Sequence, residues 1–527
     1  MKENLKQRRL IIITVFLILI ITILGYYPCL HNSFTNWDDN EYVVGNIQIR
    51  SLAPKNIVQI FSTYCYGSYM PLTILSFALN YRFCRLSPFG YHMTNLILHL
   101  VNCLLVFYLF MFLTRNLSIS LLTSILFAVH PLHVESVAWI SARKELLFTL
   151  FFLAAIIAYL YYQKKSSKRF YYFTLIFFVL SLFSKPAAIT LPFVLLIIDA
   201  FVYQRFNKNI VIDKIPLFIL SIIFTIIAFF GQQSVGAVRP NISSAIFFNI
   251  LSPLRIVVFY LCKTVIPVRL SCFYPIPEEL PQWESPFFAL MPVIIVLSII
   301  LILFLKRHNK KLIFGSLFSA ITTLPVIQIV PVGQPIADRY TYLPLIGVFY
   351  LVAEAWYYLK TRTAKPIKVI FTIIVVAVIC LLSYLSNIRC RVWKDGITLW
   401  SDVIEKYPSM ARLYNNRGIY YAQIQRYDEA LADFNRALSL DKNFIAAYNN
   451  RGNVYASLGE VDRAITDFTE ALKIDSSFAD AYYNRAIAYF MKREFEHALQ
   501  DLLKCKGLGY EVPQEFLNEI DRALKKK

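Results

Sequence analysis

The stretch "MKENLKQRRLIIITVFLILIITILGYYPCL" (Met1–Leu30) decides the kind of fold this chain adopts. Lys2, Lys6, Arg8 and Arg9 open it, and an apolar run of about 18 residues follows. At 1.5 Å of helical rise per residue, such a run comes close to crossing the roughly 30 Å hydrocarbon core of a bilayer. No small-x-small cleavage site follows, so the stretch reads as a first membrane helix that stays in the chain.

The rest of the chain agrees. Of 527 residues, 57% are hydrophobic and only 16% charged, against about a quarter charged in a soluble domain; the mean hydropathy is +0.53. Apolar segments recur at 92–113, 117–130, 146–162, 170–183, 188–204, 215–231, 246–265, 286–305, 312–330, 341–360 and 367–386. The net charge is +20. From Ala411 onward 17 Lys and Arg offset 17 Asp and Glu, so the whole excess lies among the apolar segments. It is concentrated in the N-terminus, "QKKSSKR" (163–169), "RFNKNIVIDK" (205–214), "KRHNKK" (306–311) and "KTRTAKPIK" (360–368). Basic loops stay in the cytoplasm, so this charge sets topology and is not a nucleic-acid footprint. Keeping all five inside requires that 246–265, which contains Arg255 and Lys263, lie in the interface or re-enter. The expectation is an all-α, polytopic bundle of about eleven transmembrane helices with a cytoplasmic N-terminus and everything after Asn387 outside. No GxxxxGK[ST] occurs, and no GxGxxG follows a strand, which argues against a nucleotide-driven activity.

The C-terminal part repeats every 34 residues, from Ala411, Ile445 and Ala479. Tyr414, Tyr448 and Tyr482 recur, as do Gly418, Gly452 and Ala486, then Ala430, Ala464 and Ala498. This is the tetratricopeptide pattern of paired helices, in which small residues allow close approach and aromatics fill between. The expected organisation is a membrane domain over 1–390, a linker and capping half-repeat over 391–410, three repeats over 411–512 and a capping helix over 513–527. Stacked repeats form a concave peptide-binding groove. Asn416, Asn450 and Asn484 are candidates to line it, with inter-helix hydrogen bonding as the rival role.

Polar residues cluster on the loops assigned outside. Asp38 and Asp39, in "NSFTNWDDNEYVVGN" (32–46), are adjacent carboxylates flanked by Trp37 and Tyr42. A carboxylate in a partly enclosed site is a candidate general base for an acceptor hydroxyl; a solvated turn is the rival. "HPLHVESVAWISARKEL" (130–146) holds His130, His133, Glu135, Arg143 and Lys144. HxxHxE is a weak zinc pattern, broken by Pro131, so His133 and Glu135 are read as ligands of a polar group and Arg143 or Lys144 as an anion contact. Lys185, and Asp338 with Arg339, sit at two further outer borders. Arg143, Lys185 and Arg339 together suit a phosphate-bearing lipid, with headgroup snorkelling as the rival. Nine cysteines include no CxxC pair; those at 29, 65, 84, 272 and 390 fall in outer loops, where a disulfide is open.

In order along the chain, "NWDDNEYVVGN", "YMPLTILSFALNYRFCRLSPFGYHMTNLILH", "HPLHVESVAWISARKELLFTLFF", "SKPAAITLPFVLLIIDA", "ADRYTYLPLIG", "RVWKDGITLW" and the repeats resemble the transmembrane and tetratricopeptide repeat-containing O-mannosyltransferases and their bacterial relatives. The resemblance implies a GT-C-type membrane glycosyltransferase. Such an enzyme moves a sugar, mannose by family expectation, from a polyprenyl-phosphate carrier to Ser or Thr hydroxyls of extracytoplasmic proteins recruited by the repeats. It implies Asp38 and Asp39 at the reaction centre and an inverting single displacement. Arg143, Lys185 and Arg339 would then hold the phosphate, and Trp37, Tyr42, His133, Glu135 and Asp338 would support the pocket. No cofactor is assigned beyond the lipid-linked sugar, and no metal ligand is named, a divalent metal being left open. The partners are the lipid-linked sugar and a protein acceptor, not nucleic acid. The bacterial inner membrane is favoured, with the endoplasmic reticulum as the alternative. The rival functions are transfer to a glycolipid or envelope polymer and a non-enzymatic membrane-anchored repeat scaffold.

Overall fold

The computed structural model describes residues 2–204, 208–234, 246–275, 310–327 and 334–525. It divides into two compact units, Met1–Lys394 and Asp395–Lys527. No β-strand occurs among the described residues.

The first unit is a helical bundle. Five of its described helices are long and apolar enough to cross a membrane: Lys6–His31, Pro88–Thr114, Ile140–Lys165, Ile210–Ser234 and Lys365–Val392. A sixth span arises if Leu117–Val129 is joined to Pro131–Ala138 across a 54° bend. The bend falls at Pro131, which has no N–H to continue the helix, and the His130 imidazole accepts from the Leu132 N–H instead. The segment expected at 188–204 is broken. A 3-10 turn (Pro186–Thr190), a short helix (Leu191–Ile197) and a π turn (Ile198–Val202) replace one span, because Pro186 and Pro192 interrupt the hydrogen-bond ladder. Shorter helices cover Lys168–Ser184, Lys310–Thr323 and Leu345–Arg362. The helix Ile246–Val265, carrying Arg255 and Lys263, is not among the five. The segment expected at 286–305 lies outside the described residues. All nine cysteines are free thiols, so no disulfide joins the loops expected outside.

Buried polar side chains tie the bundle together, as a low-dielectric interior demands. Ser124 donates to Cys103 O, Ser181 to Phe148 O and Ser386 to Val129 O. The loop after the first helix is fastened to the last helix of the unit. Asn32 donates to Cys390 O at 3.0 Å, and the Ser33 N–H donates to Lys394 O at 2.7 Å.

The second unit stacks Ala411–Gln423 on Tyr427–Leu440, Ile445–Ser457 on Val461–Ile474, and Ala479–Met491 on Phe495–Gly507. Gly396–Lys406 precedes them, capped by Asp395, which accepts from Thr398 N at 2.8 Å. Leu517 and Ile520 of Gln514–Lys525 close the far end against Ala486, Ala498 and Leu502. Inside each repeat an arginine makes a bidentate pair with an aspartate sixteen residues on: Arg417–Asp433, Arg451–Asp467 and Arg485–Asp501, all at 2.7–2.9 Å. A Cβ at Gly418 would lie 2.8 Å from the Phe434 ring, and one at Gly452 2.7 Å from Phe468. The third repeat holds the compensated pair, Ala486 with Leu502. Gly452→Ala therefore overpacks, and destabilises the repeat unit by about 1–3 kcal/mol; adding Phe468→Leu recovers much of this. Hydrogen exchange of the helices Ile445–Ser457 and Val461–Ile474 in the full chain reads both, and equal protection in the single variant overturns the packing argument.

Candidate active site

Four separate segments meet at one charged cluster. The first loop brings Asp38 and Asp39, which sit side by side but in different surroundings. Asp39 is fully buried, 1% exposed. Its Oδ2 accepts from Thr35 N at 2.9 Å and Thr35 Oγ1 at 3.0 Å. Its Oδ1 accepts from Ser141 N at 3.1 Å and Ser141 Oγ at 2.6 Å. Burial still pushes its carboxyl up to about 6, against the pull of those four bonds. Asp39 is thus a clip joining the loop to the 3-10 turn Ile140–Ala142. Asp38 is only partly buried, and its carboxylate accepts no hydrogen bond among the described residues. Burial raises its pKa, and the positive charges of Lys144 and then Arg339 pull it back.

The second segment supplies adjacent cations with separate fates. Successive helical residues point about 100° apart. Arg143 turns inward and is 0% exposed. Its guanidinium donates to Asn95 Oδ1 at 2.8 Å, Tyr91 O at 3.0 Å, Ser76 O at 3.2 Å and Asn80 Oδ1, with the Phe77 ring 4.5 Å away. With its donors taken, this residue is built into the bundle and does not face the cluster, contrary to the expected phosphate contact. Lys144 turns toward Asp38, its Nζ 5.0 Å from the Tyr42 ring centre. Tyr42 is buried beneath Lys144, with its edge on Tyr66, and Trp37 packs edge-on at 6.5 Å from Phe273.

Lys185 and Arg339 complete the cluster. Lys185 Nζ pairs with both Glu145 oxygens at 2.5 and 2.8 Å. Arg339 pairs with Glu135 Oε1, and its backbone N–H donates to Glu135 Oε2 at 3.1 Å. The Tyr340 ring lies 5.1 Å from Lys185 and 4.9 Å from Arg339, and Trp139 lies 5.1 Å from Arg339. Trp139 in turn stacks on Trp393 at 5.7 Å. Asp338 is buried beside them, accepting from the Tyr274 hydroxyl at 2.7 Å. Burial and the negative charge of Glu135 push it up to about 7.

Not every candidate arrives. His133 is buried among Phe127, Tyr342 and Phe349, its Nδ1 donating to Phe127 O at 2.8 Å. His130 bonds Thr264 O instead, and Glu135 serves Arg339, so HxxHxE does not gather as a metal set. No group of three metal-ligating side chains converges among the described residues. In the repeats, Asn450 donates to Asn415 at 3.0 Å and Asn484 to Asn449 at 2.9 Å; Asn416 accepts from Asn415 at 3.4 Å. Asn450 and Asn484 thus bridge successive repeats, as the rival role has it, whereas the Asn415–Asn416 bond lies within one helix.

Ser141, Thr35, Glu145 and Tyr340 went unrecognised in the sequence. Asn80 and Asn95, two amides in apolar helices, were the signal that Arg143 would turn inward, since such groups need partners there.

The molecule is a helical membrane protein that carries tetratricopeptide repeats. The TPR repeat model matches residues 421–459 and 452–492. The motif resemblance is borne out by similar curated proteins. A protein O-mannosyl-transferase of Caenorhabditis elegans is 28% identical over 80% of this chain and 62% of its own length. Protein O-mannosyl-transferase TMTC3 of Homo sapiens is 25% identical over 72% of this chain and 45% of its own. The chain therefore spans about half to three fifths of these relatives. Among solved structures, ArnT from Cupriavidus metallidurans bound to undecaprenyl phosphate is 11% identical, with a TM-score of 0.40 over 90% of this chain and 79% of that one.

Two predictions follow from the geometry. Asp39→Asn sets an amide donor against the Thr35 or Ser141 donors and leaves buried groups unpaired, a loss of roughly 1–3 kcal/mol. Asp38→Asn breaks no hydrogen bond among the described residues and loses only the attraction to Lys144 and Arg339, so it lowers stability less than Asp39→Asn; thermal unfolding in detergent separates the two, and equal midpoints overturn the clip. The second concerns pH. The ordinary carboxyl of Asp338 would titrate near 3.8, whereas in the folded chain it titrates near about 7. Between these values the folded chain keeps a proton that the unfolded chain has lost, so stability falls as pH rises from about 4 to about 7. Asp338→Asn, which still accepts from Tyr274, flattens that slope; an unchanged slope assigns it elsewhere.

Proposed function

We propose that this chain is an integral-membrane glycosyltransferase that moves a hexose, mannose by resemblance, from a polyprenyl-phosphate carrier to Ser or Thr hydroxyls of extracytoplasmic proteins held by its repeats. The observation that carries the reading is the meeting of Asp38 with Lys144, Arg339 and Lys185 from four segments of the chain. Asp38 is the base. It takes the proton of the acceptor hydroxyl, whose oxygen attacks the anomeric carbon on the face opposite the phosphate. The bond from that carbon to the phosphate oxygen breaks, its electron pair leaves on the polyprenyl phosphate, and the sugar configuration inverts. Asp39 positions the loop, and Arg143 holds the helix start from which Lys144 projects.

The charges of the cluster support this order of events. Three cations, Lys144, Lys185 and Arg339, face the carboxylates Asp38, Glu135 and Glu145, with the carboxyl of Asp338 beside Glu135. Lys185 and Arg339 have their own carboxylate partners, whereas the strongest attraction on Lys144 comes from Asp38. Proton transfer to Asp38 neutralises that counter-charge as the phosphate gains negative charge, so Lys144 is released to the leaving group when the transition state needs it. Outward exposure of the cluster and of the repeats is what the basic loops support under the positive-inside rule; the membrane we favour is the bacterial inner membrane, with the endoplasmic reticulum as the alternative.

The test is transfer by the purified chain in lipid nanodiscs, from polyprenyl-phosphate mannose to a Ser/Thr-rich acceptor. Asp38→Asn is expected to lose about 10²–10⁴-fold, the usual range for a general base. Glycoproteomics of envelope proteins from a deletion strain is the cellular counterpart; an unchanged set of Ser/Thr hexose adducts overturns the proposal.

A further inference from the structure

A second cationic site shares no residue with the Asp38 cluster. A cavity of about 350 Å³ opens between the first loop and the end of the helix Pro71–Cys84, lined by Arg50, Ser51, Leu52, Ala78, Arg82 and Arg85. Three guanidinium groups at one small cavity repel one another unless an anion joins them. None of the three has a carboxylate within ion-pair distance among the described residues. Two are held in place by the protein. Arg50 donates to Val44 O and stacks 4.6 Å from the Tyr81 ring centre, and Arg85 lies 5.3 Å from the same ring. Arg85 also has φ +51°, a backbone conformation that L residues rarely adopt. A strained non-glycine position is retained only where the surrounding structure fixes it, and such positions gather at ligand sites.

The surroundings indicate where the anion comes from. Phe83, between Arg82 and Arg85, is 86% exposed, and Ile47, in the turn that ends at Arg50, is 82% exposed. Phe89, in the first turn of the next helix, is 52% exposed. Large apolar side chains standing clear of the protein beside arginines, at the ends of apolar helices, match the bilayer interface, where rings enter the acyl boundary and cations meet phosphates.

We propose that Arg50, Arg82 and Arg85 form a phosphate-binding site at the membrane surface that holds the headgroup of an anionic phospholipid beside the first loop. Arginine suits this ligand because its planar fork contacts two phosphate oxygens at once. The site is separate from the reaction centre and stands whether or not the chain transfers sugar.

The experiment is native mass spectrometry of the full chain in detergent, titrated in parallel with phosphatidylglycerol, phosphatidylcholine and inorganic phosphate. Phosphatidylglycerol is expected to bind at least fivefold more tightly than phosphatidylcholine, and the Arg82→Gln/Arg85→Gln variant to lose that preference. Arg82→Lys, which keeps the charge, retains most of it and controls for folding, together with unchanged unfolding midpoints. Binding of inorganic phosphate that is lost in the same variant also supports the anion site, and assigns it to free phosphate rather than to lipid. Equal retention of both phospholipids by the parent chain, with no phosphate binding, overturns the proposal. So does undiminished anion binding in the double variant.

Discussion

The buried guanidinium of Arg143 is the interaction on which the membrane unit depends. An isolated charge in a low-dielectric interior is costly, and one whose donors are met by fixed acceptors is not. Here the acceptors come from two helices, Ser76 and Asn80 on one, Tyr91 and Asn95 on the next. A third helix begins at Arg143 itself. Asn95 also donates to the carbonyls of Val137 and Trp139, which lead into that helix. One side chain therefore fixes where Lys144 starts and which way it points. Asp39 does the same for the opposite side of the cluster, because its four accepted bonds leave the Asp38 carboxylate the freer of the pair.

This division of labour gives the adjacent carboxylates and the adjacent cations parallel roles. In each pair one member is spent on structure and the other is left exposed to chemistry. A reaction that moves a proton onto a carboxylate while charge builds on a phosphate needs a cation whose counter-charge can be removed, and Lys144 beside Asp38 meets that need. Lys185 and Arg339 cannot respond in the same way, since their partners Glu145 and Glu135 keep both oxygens on them. They set a constant field, and both contact the Tyr340 ring.

Most of the architecture was legible in the sequence. Apart from 188–204, which is broken, and 286–305, outside the described residues, the apolar segments overlap the helices that form, and the 34-residue period places the repeat helices. Element type follows from periodicity and length, which a single chain displays in full. That the loop of Asp38 and Asp39 would meet charged loops from later in the chain was legible too, since charge beside apolar helices has few roles. What was hidden was orientation. Arg143 and Lys144 are one residue apart, and only the Asn80 and Asn95 amides on other helices decide which turns inward. His133 was hidden for the same reason: its aromatic cage comes from Phe127, Tyr342 and Phe349, the last of them 216 residues further along the chain than His133 itself. Pro186 and Pro192 were visible, but their effect on a full span was not, because backbone donors lost to proline can be met by neighbouring helices.

The repeat unit shows the same lesson at the level of a ladder. Each repeat carries Arg between two tyrosines, Arg451 lying 5.6 Å from Tyr448 and 5.9 Å from Tyr455, with Asp467 closing the pair. Successive repeats are then joined by asparagine amides, Asn450 to Asn415 and Asn484 to Asn449. An amide that donates to its neighbour repeat has less left for a passing peptide, so these asparagines set the spacing of the stack before they read any ligand. A repeat stack built this way owes its spacing to polar contacts at a fixed period. The glycine–phenylalanine pairs of the first two repeats, and the alanine–leucine pair of the third, show that the packing was adjusted on both sides to hold that period.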